Sequence, residues 1–142
     1  MSLDLLSSKL VLLVEDEPLI ALNVEHHLRN AGARVITAAH LDTALSMTGH
    51  PDLSGAVIDL RLGDESATPI FQRLAHRNLP FVVHTGYASD ALAREWPSVP
   101  IIQKPATPHE IVHALAQTLS AMRLLAPDRD PLRSTDTSST AQ

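Results

Sequence analysis

The chain contains no cysteine, which excludes disulfides, thiolate nucleophiles and cysteine-held metals and is compatible with a reducing compartment. Aromatic residues make up only 3% of it, so a core must be built from Leu, Val, Ile and Ala, the material of buried parallel strands under covering helices. A basic face is also missing. The formal net charge is -5 with the signs interspersed, which argues against nucleic-acid binding through phosphate contacts. Long apolar runs are absent too: nothing approaches the roughly 20 residues of a membrane span, and MSLDLLSSKL at the start has no basic leader. From these absences we expect a cytoplasmic protein with no membrane or nucleic-acid partner. Its 142 residues fit one domain.

What is present is alternation. KLVLLV (9–14), RVITAA (34–39), GAVIDL (55–60), FVVHT (81–85) and VPIIQ (99–103) read as buried strands. Helices are predicted over 18–32, 41–49, 65–76 and 89–96, and from Thr107 to about Leu125. Pro18 starts the first and Gly32 stops it, Pro97 ends the fourth, and TPHE at 107–110 has the form of a capping box. Five strands alternating with five helices predict an α/β three-layer sandwich, a five-stranded parallel sheet in the order 2-1-3-4-5 between two layers of helices. The packed domain is expected over 8–125. Beyond it, residues 126–142 are polar and proline-containing, too poor in apolar groups to offset their ordering entropy, and are predicted to be a disordered tail.

In a parallel sheet the C-terminal ends of the strands gather along one edge, the usual place for chemistry. Strand one ends in Val14-Glu15-Asp16-Glu17-Pro18, strand three in Ile58-Asp59, strand four in His84-Thr85-Gly86 and strand five in Gln103-Lys104-Pro105. Singly these residues mean little. Glu15 and Asp16 could merely favour a helix N-terminus, Thr85 could be an ordinary strand residue and Lys104 a surface charge. Asp59 finishes an apolar strand and carries a burial cost unless partnered. Taken together, the four ends point to metal and phosphate binding.

With VEDEP, VIDL, HTG and KP in this order, each at a strand end, the chain resembles the receiver domain of two-component response regulators. The resemblance implies a flavodoxin-like (βα)5 fold, phosphorylation of Asp59 by a histidine kinase or phosphotransfer protein, and a cis Lys104–Pro105 bond that aims the lysine inward. The chemistry is consistent with it. Three carboxylates concentrate negative charge, and magnesium, or manganese in its place, suits an all-oxygen cage of Asp16, Asp59, the Arg61 carbonyl and, through water, Glu15. Phosphoryl transfer needs alignment and charge stabilisation, which Lys104, the Thr85 hydroxyl and the open space at Gly86 can supply. In the family, the hydroxyl matching Thr85 and an aromatic on strand five move together as a switch. Here the aromatic position is Ile101, a departure, and Tyr87 is the candidate replacement.

HEIVH (109–113) also meets the short helical zinc-hydrolase pattern, with His109 and His113 as ligands and Glu110 serving a bound water. Such a site needs a third ligand and a cleft, and no histidine follows His113. Coincidence is the simpler reading, because Glu110 fits the cap while Ile111, Val112 and Leu115 supply buried surface. His84 is expected to point to the opposite strand face from Thr85. The expected function is that of a stand-alone receiver, monomer or weak dimer. It accepts a phosphoryl group on Asp59 with magnesium, assists its own phosphorylation and dephosphorylation without being an enzyme, and signals to a downstream protein. A non-switching pseudo-receiver and the zinc hydrolase are the alternatives.

Overall fold

The continuous apolar runs form a sheet buried on both faces. The computed structural model of the chain describes residues 5–125, and the tail expected at 126–142 lies outside the described residues. Five parallel strands, β1 (Leu10–Val14), β2 (Arg34–Ala38), β3 (Gly55–Ile58), β4 (Phe81–Thr85) and β5 (Ile101–Gln103), pair in the order β2-β1-β3-β4-β5. Helices α1 (Pro18–Asn30), α2 (Leu41–Met47), α3 (Thr68–His76), α4 (Asp90–Glu95) and α5 (Pro108–Leu125) make the crossovers. Fold class and strand order are those expected.

Strand alternation sorts the core into two halves. Leu10, Leu12, Val14, Ile58, Phe81 and Val83 pack with Ala44, Ile70, Phe71, Leu74 and Leu92 of α2, α3 and α4. Val11, Leu13, Val35, Val57 and Val82 pack with Val24 and Leu28 of α1 and with Ile111, Val112 and Leu115 of α5. The few aromatics are concentrated in the first half: Phe71 stacks on Phe81 at 5.1 Å between centroids, and Trp96 meets both edge-on at 5.6 and 6.0 Å.

Several boundaries differ from the expectation, for local reasons. The third helix begins at Thr68 rather than 65, because Arg61–Leu62 and Glu65–Ser66 pair as a short antiparallel hairpin. Gly63 turns it at φ 62, a left-handed conformation that glycine adopts without strain. The first helix ends at Asn30, two residues before Gly32, which leaves the helix at φ 101. Strand three stops at Ile58, although Asp59 N–H still donates to Val14 O at 3.0 Å. Packing also starts before residue 8: Leu6 is fully buried and its N–H donates to Ala31 O at 2.8 Å. Among the described residues no helix is long and apolar enough to cross a membrane.

Gly55 opens β3 where the chain passes close to Pro80, and a Cβ there would lie 2.8 Å from the Pro80 carbonyl oxygen. Gly55→Ala is therefore expected to lower the unfolding free energy by about 1–3 kcal/mol through backbone displacement. Urea denaturation measures it, and an unchanged midpoint would mean that the two segments part freely.

Candidate functional site

Parallel pairing carries the acidic residues to one edge and holds their backbones there. Glu15 N–H donates to Ala38 O at 3.1 Å, and Asp59 N–H to Val14 O at 3.0 Å, so both residues continue the ladder one step past their strands. Their side chains are almost entirely buried. One carboxylate oxygen from each of Glu15, Asp16 and Asp59 lies within 4.8 Å of the others, and this is the only such acidic or histidine group among the described residues.

Lys104 enters from the end of β5. Its Nζ lies 2.9 Å from Asp59 Oδ2, 3.1 Å from Glu15 and 3.2 Å from Glu17 Oε1. Its backbone N–H donates to Thr85 O at 2.9 Å, and the Lys104–Pro105 peptide is cis. Glu17 was not among the expected site residues. Its only sequence signal is its place two residues after Glu15, where an acid reads equally well as favouring the start of α1.

One ammonium thus faces three carboxylates, two of them buried. Burial pushes the Glu15 carboxyl up to about 7, outweighing its bond to Lys104, and the charge of Asp59 adds to the rise. Burial acts on Lys104 in the opposite sense, yet its bonds to Asp59 and Glu15 hold it above the ordinary lysine range. The directions are compatible: when Glu15 takes up a proton, Asp59 remains as the close partner of Lys104. The donor set is all oxygen and carries more negative charge than Lys104 can offset, which fits a hard divalent cation.

The remaining expected residues surround this centre. Asp16 Oδ2 accepts the Gly63 N–H at 2.8 Å, tying the hairpin to the acidic group. Arg61 meets Asp59 through its N–H, which donates to Oδ1 at 3.3 Å, and its guanidinium lies 5.2 Å from the centroid of the Tyr87 ring. Thr85 is fully buried, and its Oγ accepts the Tyr87 N–H at 3.1 Å, whereas Tyr87 itself is 60% exposed. A Cβ added at Gly86 would meet nothing within 4 Å. Ile101 pairs with Val83 in the ladder and is half-buried against the core, apart from the polar cluster.

The histidines stand outside the carboxylate cluster, His84 nearest to it. His84 is buried, lines a hollow with Leu19, Ile20, Asn23 and Val24 of α1 and with Lys104, and has an unpartnered Nε2; burial, and then the charge of Lys104, lower its pKa. His109 and His113 are exposed on α5 with ring centroids 6.0 Å apart. Glu110 beside them is engaged with Thr107, whose Oγ accepts the Glu110 N–H at 3.1 Å and donates to Oε2 at 3.2 Å. No third ligand accompanies the pair among the described residues.

Known proteins are similar to the chain over most of its described length. The family model described as "Response regulator receiver domain" matches residues 11–116. The two-component response regulator PprB of Pseudomonas aeruginosa is 25% identical over 121 residues, 79% of this chain and 44% of that protein. The chain therefore spans less than half the length of that relative. The solution structure of SdrG from Sphingomonas melonis Fr1 is similar with 33% identity and a TM-score of 0.63, covering 80% of this chain and 95% of that one. A response regulator protein from Burkholderia pseudomallei, crystallised with a phosphorylated aspartic acid, a calcium ion and citrate, aligns with 26% identity and a TM-score of 0.70. That match covers 87% of this chain and 75% of the other.

The raised Glu15 carboxyl sets a pH dependence. Between the ordinary carboxylate range and about 7 the folded state binds a proton that the unfolded chain has released. The stabilisation is full below that window and is lost as pH rises through about 7. Lys104, held high, contributes throughout it. In a chelator-containing buffer the Tm of the wild type relative to Glu15→Gln should fall from pH 6 to pH 8, the comparison cancelling the opposite contribution of buried His84, whose lowered pKa makes stability rise with pH. A difference that stays level or grows over the same range would contradict the assignment.

Proposed function

The chain belongs to the response regulator receiver family, and from that premise we propose that it takes up a phosphoryl group on Asp59 from a histidine kinase or phosphotransfer protein. The reaction depends on magnesium, and the chain passes the signal on by contact with a downstream protein. The observation that supports this best is the cluster itself: Lys104 Nζ at 2.9 Å from Asp59 Oδ2, beside oxygens of Glu15 and Asp16 within 4.8 Å.

Each residue has a task. A carboxylate oxygen of Asp59 attacks phosphorus, an acyl phosphate bond forms, and the bond to the donor's nitrogen breaks with its electron pair leaving on that nitrogen. Lys104, already on Asp59, turns its ammonium toward a phosphoryl oxygen and keeps its charge. Thr85, whose Oγ accepts from Tyr87, has its hydroxyl proton to give to another. Gly86 keeps the space above open. Glu15, Asp16, Asp59 and Arg61 are the residues that would hold magnesium, which when bound neutralises the acidic group and the incoming oxygens. Release of the phosphoryl group to water at the same centre completes the cycle, so turnover is confined to the chain's own modification.

The signal leaves through Thr85. Pulling its hydroxyl toward a phosphoryl oxygen disturbs the Tyr87 N–H bond, and Tyr87 stacks on Arg61, two residues after Asp59. Ile101 cannot play the part of a strand-five aromatic, so Tyr87 takes the role of reporter. The pseudo-receiver reading draws only on Ile101, whereas the acid and lysine groups are all in place.

Intact-mass measurement after incubation with a small phosphodonor and magnesium should show one added phosphoryl group on the wild type and none on Asp59→Asn. Lys104→Ala should slow the addition by about 10²-fold. Equal labelling of wild type and Asp59→Asn would overturn the assignment of the acceptor. With beryllofluoride and magnesium, amide exchange over Thr85 to Asp90 should change by more than it does elsewhere in the sheet; an unaltered segment would rule out the Thr85–Tyr87 route.

A further inference from the structure

Eight histidines are present in the chain, and several are already engaged. His26 Nε2 meets the Asn30 side chain at 3.1 Å, His27 Nδ1 meets the Asn23 carbonyl at 2.9 Å, and His50 Nδ1 accepts the Asp52 N–H at 3.0 Å. His84 is buried. His40 and His76 are exposed but stand singly, one before α2 and one at the end of α3. His109 and His113 differ, being exposed and one helical turn apart on the same helix. The helix beneath them is firmly placed, with Ile111, Val112 and Leu115 in the core and Thr107 capping its start. An open hollow lies beside the pair, lined by His109, Glu110, His113, Ala114 and Gln117.

We propose that His109 and His113 form a two-nitrogen chelate for a divalent ion of the zinc, nickel and copper group, separate from the acidic site. Residues four apart lie on one helix face, so a single ion can reach both rings. At metal–nitrogen distances of about 2.0–2.1 Å, two imidazoles on a tetrahedral ion have their centroids roughly 5 Å apart. The observed separation is 6.0 Å, and rotation of two exposed side chains closes the difference. Donor chemistry separates the two sites: imidazole suits zinc, nickel and copper, while the carboxylates at the strand ends suit magnesium. With two protein ligands and Glu110 held by Thr107, the remaining positions on the ion go to water, and the site is a staple across the first turns of α5 rather than a hydrolytic centre.

Calorimetric titration of zinc into the full chain, with magnesium saturating the acidic group, tests this. One equivalent should bind. His109→Gln and His113→Gln should each weaken binding by at least the roughly 10–100-fold that follows loss of an outer-shell partner. The double variant His109→Gln with Gln117→His should recover it, because the spacing of four is re-created one turn further along. Circular dichroism verifies that the exposed substitutions leave the fold intact. Wild-type binding by both single variants, or failure of the double variant to recover, would overturn the chelate.

Discussion

The ammonium of Lys104, set among the carboxylates of Asp59, Glu15 and Glu17, is the contact on which the acidic edge depends. Asp59 and Glu15 are 6% and 4% exposed, and unpaired charges at such depth are costly. The lysine arrives only because β5 lies beside β4 in a parallel sheet, so that its end falls next to the ends of β3 and β1. Sheet order, strand direction and local charge are one constraint. The cost of this depth appears at Glu15, whose carboxyl burial pushes up to about 7 despite its bond to Lys104.

Much of this could be read from the chain. The strands announce themselves as apolar runs bounded by Pro and Gly, and β4 has the bounds expected of it. The convergence of Glu15, Asp16, Asp59, Thr85 and Lys104 follows from one rule about strand ends, applied to four segments. The hairpin at 61–66 is not legible, since two-residue strands carry no periodicity and Glu65 and Ser66 read as the start of a helix. Leu6 is not singled out by the sequence because the apolar residues of MSLDLLSS come in pieces of one or two with no strand or helix period. Glu17 was missed because an exposed acid before a helix already has a sufficient local reason to be there.

The departure expected from the resemblance falls at Ile101 of β5. The acids and the lysine meet at the sheet edge, while Ile101 packs against the core and Tyr87 lies over the Arg61 side chain. Thr85 touches both regions: it is buried, its carbonyl accepts the Lys104 N–H, and its Oγ accepts the Tyr87 N–H.

The stacked corner of Phe71, Phe81 and Trp96 decides what optical spectroscopy will see. Trp96 is the sole tryptophan and Tyr87 the sole tyrosine, and they stand at opposite ends of β4: Trp96 packs against Phe81, which opens the strand, and Tyr87 follows Thr85, which closes it. Indole emission therefore reports on the packing of the corner between α3 and α4, and phenol absorbance on the surroundings of Arg61 and Thr85. The molecule carries two chromophores, one beside each end of a single strand.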